Sequence, residues 1–326
     1  MTILLLGGNG LLGHNVLKRL LQQGDAVHAL LRNPAALHID SFPNTHLLTV
    51  YEGSLLNDTD LDKAAQGCDG IINCAGVTDM SLLHYTDYLP VNRDLCGRLA
   101  DLMERTGISR LVHTSTANAI GYGTPQHLAN EKDEMQSPFC ESYYAASKRD
   151  GEVLLQEAAT LHTNWHIVIA NPGFMVGAYD TKPSSGTLLL TGYRKPVMLT
   201  PKGGKSFIHV GDAATAITNA LIHGKSGSKY LLTGENLSLR EFYKCQSQVC
   251  GYRQWLINIP NWLLNMVGAV GDVVRRFGIK TQVSTRNVRQ LMIGEYYSHE
   301  MAKNELGMTE TSVEMAIKDF FDWYKK

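Results

Sequence analysis

Residues 2–21 constrain the fold more than any other stretch: Thr2-Ile3-Leu4-Leu5-Leu6 runs into Gly7-Gly8-Asn9-Gly10-Leu11-Leu12-Gly13 and then His14-Asn15-Val16-Leu17-Lys18-Arg19-Leu20-Leu21. An apolar segment of strand length meets a glycine-rich turn and then a helix with Leu17, Leu20 and Leu21 on its inner face. Glycines at 7, 10 and 13 permit a tight turn, let the backbone approach a pyrophosphate and let the helix pack close to the strand. The helix N-terminus offers its amides to the anion. Set between a buried strand and a helix, the pattern predicts the first turn of a dinucleotide-binding βαβ unit, with Gly7, Asn9, Gly10, Leu11, Leu12 and Gly13 around the phosphates.

Strand and helix signals alternate through the first half. Residues 26–31, 45–50, 70–73 and 110–114 read as strands apolar on both faces, with helical patterns at 61–66 and 90–106 between them. A helix carrying Tyr144 and Lys148 runs to about Thr160, and residues 165–170 supply a sixth strand. This alternation predicts the α/β class, with a doubly wound parallel Rossmann sheet. Beyond Asn171-Pro172-Gly173, loops at 181–186 and 200–204 bracket a short helical stretch. Residues 207–210 and a helix over 213–222, capped by Asp212, read as a return to the main domain. From about Leu237 the chain is mostly helical. The expected division is a dinucleotide-binding domain over 1–172, rejoined by 207–232, and a smaller, mostly helical substrate lobe made of 173–206 and 233–326. The ligand cleft is expected between them, at the carboxyl ends of the strands.

A chain that is 44% apolar and 19% charged, with a net charge of -1, reads as an ordinary soluble globular protein with no reason to bind nucleic acid. Its cysteines are scattered without a Cys-x-x-Cys pair, which suits reduced thiols, and Cys74 and Cys96 read as small core residues. No His-Glu-x-x-His or comparable cluster appears, so no metal is expected, and His113 and His209 read as hydrogen-bonded structural residues. No basic leader precedes the first apolar run, which breaks at Gly7; the expectation is a cytoplasmic protein without a membrane span. The apolar segment 259–274 is shorter than a span and carries Asn265 and Asp272. It reads as a helix packed on the cleft, with a surface-membrane contact edged by Arg275 and Arg276 as the alternative.

Tyr144 stands four residues before Lys148 in Ser142-Tyr143-Tyr144-Ala145-Ala146-Ser147-Lys148. On a helix that spacing stacks a phenol and an ammonium on one face. A phenol of ordinary pKa, about 10, exchanges protons poorly at neutral pH, and a cation beside it stabilises the phenolate and lowers that value. Such a tyrosine can act as general acid or base. At the end of the second strand, Arg32 has no acidic residue beside it in the sequence. A guanidinium suits a ribose 2′-phosphate as a carboxylate would suit the 2′-hydroxyl, so NADP(H) is favoured, with NAD(H) as the alternative.

Together these residues resemble the extended short-chain dehydrogenase/reductase superfamily over most of the chain. The marks are Gly7-x-x-Gly10-x-x-Gly13, Asn73-Cys74-Ala75-Gly76, Asn92, Leu111-Val112-His113-Thr114-Ser115-Thr116 and Tyr144-x-x-x-Lys148. The resemblance implies a strand-end hydroxyl next to the tyrosine, which alignment assigns to Thr116 with Ser115 as the second candidate. It implies that Tyr144 exchanges the substrate proton, that Thr116 orients the substrate oxygen, and that Lys148 lowers the tyrosine pKa while holding the nicotinamide ribose. It also implies that Ser54, Leu55, Cys74, Ala75, Gly76, Asn92, Pro172 and Gly173 lie along the cofactor. One departure is Gly53-Ser54, where many relatives have Gly-Asp, which leaves the adenine to Ser54 or to backbone groups. The stretch 171–184, with its Asp180-Thr181-Lys182-Pro183-Ser184 loop, is similar to the branch of dihydroflavonol-reductase-like and hopanoid-associated sugar-epimerase-like proteins.

The resulting expectation is an NADP(H)-dependent oxidoreductase interconverting a small-molecule ketone or aldehyde and its alcohol, with Phe174, Met175, Tyr179 and the helix over 262–270 as an apolar wall. Alternatives are a nucleotide-sugar epimerase with tightly bound NAD and a non-catalytic NADP(H)-binding sensor. Dehydration is disfavoured because Ala117-Asn118, rather than an Asp-Glu pair, follows Thr116. The resemblance also implies a homodimer.

Overall fold

Seven parallel strands form the central sheet of this computed structural model, which describes residues 1–181 and 184–325. In chain order the first part is β1 (Thr2–Leu6), α1 (Leu11–Gln23), β2 (Ala26–Leu31), β3 (Leu48–Glu52), α2 (Asp58–Ala65), β4 (Gly70–Asn73), α3 (Leu95–Thr106), β5 (Arg110–Thr114), α4 (Tyr143–Leu161) and β6 (His166–Pro172). There follow β7 (Phe174–Val176), α5 (Gly186–Gly192), β8 (Val197–Thr200), β9 (Gly204–His209), α6 (Val210–His223) and β10 (Lys229–Leu232). The last part is β11 (Glu235–Ser238), α7 (Leu239–Val249), β12 (Trp255–Asn258), α8 (Asn261–Arg276), α9 (Thr285–Gln290), β13 (Gly294–Glu295), α10 (Glu300–Leu306) and α11 (Val313–Tyr324).

The sheet order is β10-β6-β5-β4-β1-β2-β3. β1 pairs with β2 on one side and β4 on the other, so the winding reverses there and Leu6 registers with both Leu30 and Asn73. A crevice opens where strand order reverses, beyond the carboxyl ends of those strands. Because alternate side chains point to opposite faces, Ile3, Leu5, Val112 and Val168 meet α1 and α6, whereas Leu4, Leu6, Ile71 and Leu111 meet α2, α3 and α4.

Ala302 and Leu306 of α10 join the first of these layers. A third core lies around the sheet β11-β9-β13, on which β7 also pairs with β9, and there Phe207 stacks on Phe242 at 4.2 Å. Of residues 207–232, α6 and β10 pack with the main sheet, while Phe207–His209 end β9 in the smaller one.

Three local readings change. The strand expected at 45–50 begins at Leu48, because Thr45–Leu47 wind into a 3-10 turn. The helix expected from residue 90 starts as a π-turn over Pro90–Asp94. The cap of α6 is His209, whose Nδ1 accepts the Gly211 amide at 3.0 Å. Asp212 lies inside that helix, where its carboxylate accepts the Thr311 amide at 2.7 Å and the hydroxyls of Thr309 and Thr311. It ties the chain after α10 to the main domain. Among the described residues, no helix is long and apolar enough to cross a membrane.

Candidate active site

The turn after β1 is shaped by contacts that admit no side chain. Gly7 has φ +76, and a Cβ there would stand 2.6 Å from the Ala75 amide nitrogen; a Cβ on Gly13 would stand 2.0 Å from the Gly7 carbonyl oxygen. Gly10 precedes α1 with no side-chain cap, and the first turn holds no acidic residue. The first-turn amides at Leu11, Leu12 and Gly13 are therefore left for an anion. Gly7 faces Cys74 and Ala75 across the crevice, with Asn9 half-buried beside it. These features fit the pyrophosphate of a dinucleotide.

Around this cradle the remaining cofactor candidates divide into exposed and occupied groups. Arg32 is exposed at the end of β2, without a hydrogen bond or ion pair to another described residue. The Ser54 hydroxyl accepts the Leu56 amide at 3.2 Å, and the Ser54 amide donates to Asp60 at 2.8 Å, while Leu55 packs against the core. An acidic side chain thus does reach this turn, from α2. The Asn92 amide group is buried and fully engaged: its Oδ1 accepts the Val77 amide at 2.8 Å, and its Nδ2 donates to the Val77 carbonyl at 3.0 Å and to the Ser147 hydroxyl at 2.9 Å. Asn92 pins the loop after Gly76 to α4 and leaves no group free for a ligand. The Gly173 amide, next to Pro172, is likewise occupied by the Leu232 carbonyl at 2.9 Å. Cys74 hydrogen-bonds Thr114, and burial pushes its thiol up to about 12.

β5 and α4 bring the reactive groups together. Ser142 caps α4, its hydroxyl accepting the Ala145 amide at 3.4 Å, which sets Tyr144 in the first turn and Lys148 one turn on. The Thr116 hydroxyl, which accepts the Asn118 amide at 3.3 Å, stands beside the Tyr144 phenol. Ser115, whose buried hydroxyl makes no hydrogen bond among the described residues, turns the other way, toward the Glu152 carboxyl. Of the two hydroxyls the resemblance left open, Thr116 is the one beside the phenol.

Lys148, 2% exposed, donates to the Thr114 carbonyl at 2.6 Å and lies 3.4 Å from His113 Nε2. A Cβ on Gly76 would come within 3.8 Å of its Nζ. Burial lowers the Lys148 pKa below its ordinary 10.5. Burial also raises the Tyr144 phenol above 10, against the opposing influence of the Thr116 hydroxyl. This differs from the expected lowering: the ammonium is committed to β5, and desolvation outweighs the influence of the neighbouring Thr116 hydroxyl.

Behind these groups lies a network that sequence reasoning missed. Glu152 is buried four residues beyond Lys148; it accepts Asn171 Nδ2 at 2.6 Å and stands 3.8 Å from Lys229 Nζ. Burial raises its carboxyl pKa. The signal was present, since Tyr144, Lys148 and Glu152 repeat every four residues along one helix face.

Next to Tyr143 a cavity of about 790 Å³ separates the start of α4 from α8 and α9. Its walls are polar. Glu141 and Tyr143 face Asp272, Arg276 and Arg286, and the Arg286 guanidinium stands 3.6 Å over the Tyr143 ring. The expected apolar wall is absent here. Tyr179 packs with His14, Phe42 and Trp323 on the far side of α1, and Phe174 packs edge-on against Phe207 in the third core. Asp180 accepts the amides of Ser184 and Gly186 at the start of α5; Lys182 and Pro183 of the same loop lie outside the described residues.

Comparison with known proteins agrees with this architecture. Residues 3–232 match the model of the NAD dependent epimerase/dehydratase family. A protein of Synechocystis sp., provisionally named dihydroflavonol 4-reductase, is 30% identical over 98% of this chain and 93% of its own length. The sterol demethylase protein B of Methylococcus capsulatus is 26% identical over 100% of this chain and 99% of its own. Among solved structures, gox2253 superposes with a TM-score of 0.82 at 24% identity, covering 99% of this chain and 98% of the other.

Proposed function

The chain belongs to the NAD-dependent epimerase/dehydratase family of extended short-chain dehydrogenases/reductases, and within it we propose an NADP(H)-dependent oxidoreductase that interconverts a ketone or aldehyde and its alcohol, with Tyr144 as general acid and base. The observation that carries this reading is the placement of the Thr116 hydroxyl beside the Tyr144 phenol, one turn before Lys148. When bound, the nicotinamide supplies or accepts the hydride. The chain's own residues supply the rest. Thr116 and Tyr144 form a two-donor site for an oxygen that gains negative charge during reduction. Tyr144 gives that oxygen a proton and retrieves it in the reverse direction. The first-turn amides of α1 hold the pyrophosphate, and Arg32 meets the 2′-phosphate.

The names of the two relatives refer to a dihydroflavonol and a sterol, which supports a carbonyl or alcohol on a bulky ring system. NADPH consumption on a panel of hydroxysteroid, flavanonol and aromatic ketones tests the reading. Turnover of at least one, abolished in Tyr144→Phe with NADPH still bound, is expected. Purification with non-exchanging NAD and turnover of a nucleotide sugar would instead establish an epimerase.

A further inference from the structure

Helix α8 is built inside out. The side turned to the protein carries Leu264, Gly268, Gly271 and Asp272: a Cβ on Gly271 would lie 2.2 Å from the Val283 carbonyl oxygen, and Asp272 accepts the Thr285 amide at 3.1 Å. The side turned to solvent carries Trp262, Met266, Val270, Val273 and Phe277, exposed by 63%, 58%, 65%, 51% and 78%. Spaced three and four residues apart, they form one continuous stripe. A surface helix that faces only water places its apolar stripe toward the core and its polar residues outward. Here glycine and an aspartate face inward.

The two-stranded sheet of β8 and β12 leads into the same surface. Trp255 registers with Val197 and Ile257 with Leu199, so these four side chains share one face, and each is 50% exposed or more. On the opposite face Met198 and Leu256 pack into the third core. β12 passes into α8 through Ile259-Pro260 alone. Single exposed apolar residues are ordinary on a soluble protein, but a helix stripe and a sheet face joined by two residues are not.

Charge identifies what covers it. The segments 190–203 and 251–281, which build this surface, carry exposed Arg194, Lys195, Lys202, Arg253, Arg276 and Lys280. Arg275, also in the second segment, is turned inward to the carbonyls of Ser81 and Thr281. Their one acidic residue is Asp272, directed inward, although the whole chain balances 30 Lys and Arg against 31 Asp and Glu. The positive excess is local and accompanies the apolar face. A second copy of this chain would bring two such basic surfaces together, whereas anionic headgroups complement them.

We propose that α8 and the β8/β12 sheet seat the protein on an anionic lipid bilayer, with the apolar side chains at the acyl boundary and the basic residues among the headgroups. α8 also borders the cavity beside Tyr143 through Asp272 and Arg276, so seating brings the edge of that cavity to the lipid interface.

Flotation of the full chain with phosphatidylcholine vesicles, with and without phosphatidylglycerol, tests this. The protein is expected to float with the anionic vesicles, to be released by high salt, and to show tryptophan emission shifted to shorter wavelength as Trp255 and Trp262 leave water. Met266→Glu/Val270→Glu should cut the vesicle-bound fraction roughly tenfold or more while NADPH binding is unchanged. Wild-type protein that stays at the bottom of the gradient with anionic vesicles overturns the proposal. So does a lipid-free dimer in light scattering that the double variant dissociates. Should the variant not fold, brominated phosphatidylcholine mixed into the anionic vesicles decides with the wild type, by quenching its tryptophan emission or by leaving it unaltered.

Discussion

The Lys148 ammonium donates to the Thr114 carbonyl at 2.6 Å, so the cation of the Tyr144/Lys148 pair is anchored to the end of β5 rather than to the phenol one turn before it. A single carbonyl and a neighbouring imidazole do not replace the hydration of a buried ammonium, and burial accordingly lowers the Lys148 pKa. Lys148 therefore costs stability and is retained at the face of the crevice, beside Gly76. Lys148→Met, which keeps the volume and removes the charge, should melt within a few degrees of wild type or above it. The same variant should lose roughly a hundredfold or more in kcat/KM. Thermal melts and steady-state kinetics check both; a strongly lowered melting temperature would make the ammonium a structural pin instead.

Thr116 and Ser115 are adjacent in sequence but face different partners, the Tyr144 phenol and the Glu152 carboxyl. Thr116→Ala should lower kcat by about ten- to a thousandfold with little change in melting temperature. Ser115→Ala should change kcat little and should not lower the melting temperature, because the buried Ser115 hydroxyl has no hydrogen bond to lose among the described residues. Equal kinetic losses in the two variants would remove the distinction between them.

The raised phenol fixes the direction of the pH profile. Held above 10 by burial, Tyr144 is protonated through the neutral range. In the proposed reaction reduction draws a proton from the phenol, so its kcat/KM should stay level from neutral pH upward and fall only above that raised value. Oxidation needs the phenolate and should gain about tenfold per pH unit over the same range. A reduction limb that falls near pH 7 in stopped-flow or steady-state measurements would contradict a phenol raised above its ordinary value.

The parts of this site that sequence makes legible are those written in local spacing. The glycines at 7, 10 and 13 and the four-residue step from Tyr144 to Lys148 each specify a geometry within one turn of backbone. What is not legible depends on side-chain direction across elements. Nothing in the run Thr114-Ser115-Thr116 tells which hydroxyl meets the phenol; that follows from the packing against α4 of the 3-10 turn over Ala117–Ala119, which Thr116 caps. The apolar stretch 259–274 shows an amphipathic period, but not which side of it faces the protein. Glycines at 268 and 271 allow the polar side to approach α9, and that turns the apolar side outward. Likewise Asn92 has the residue type expected of a cofactor ligand, yet a π-turn directs its amide wholly into the protein.

Substitution of Arg32 tests the proposed preference for NADP(H) over NAD(H). It is exposed at the end of β2 and has no ion pair or hydrogen bond to another described residue, so binding a 2′-phosphate would break no existing contact. Asp60, the carboxylate that reaches the next turn, is occupied by the Ser54 amide at 2.8 Å. A charge-assisted contact at an exposed site is worth about 1.5–3 kcal/mol. Arg32→Ala should therefore raise the Kd for NADPH roughly ten- to a hundredfold and alter the Kd for NADH by about twofold or less, in fluorescence titrations at fixed ionic strength. If the two cofactors weaken together, Arg32 is not the phosphate contact and the preference for NADP(H) has no support at this strand end. If NADH instead binds the wild type more tightly than NADPH, the ribose is held by carboxylate or backbone groups around Gly53 and Ser54.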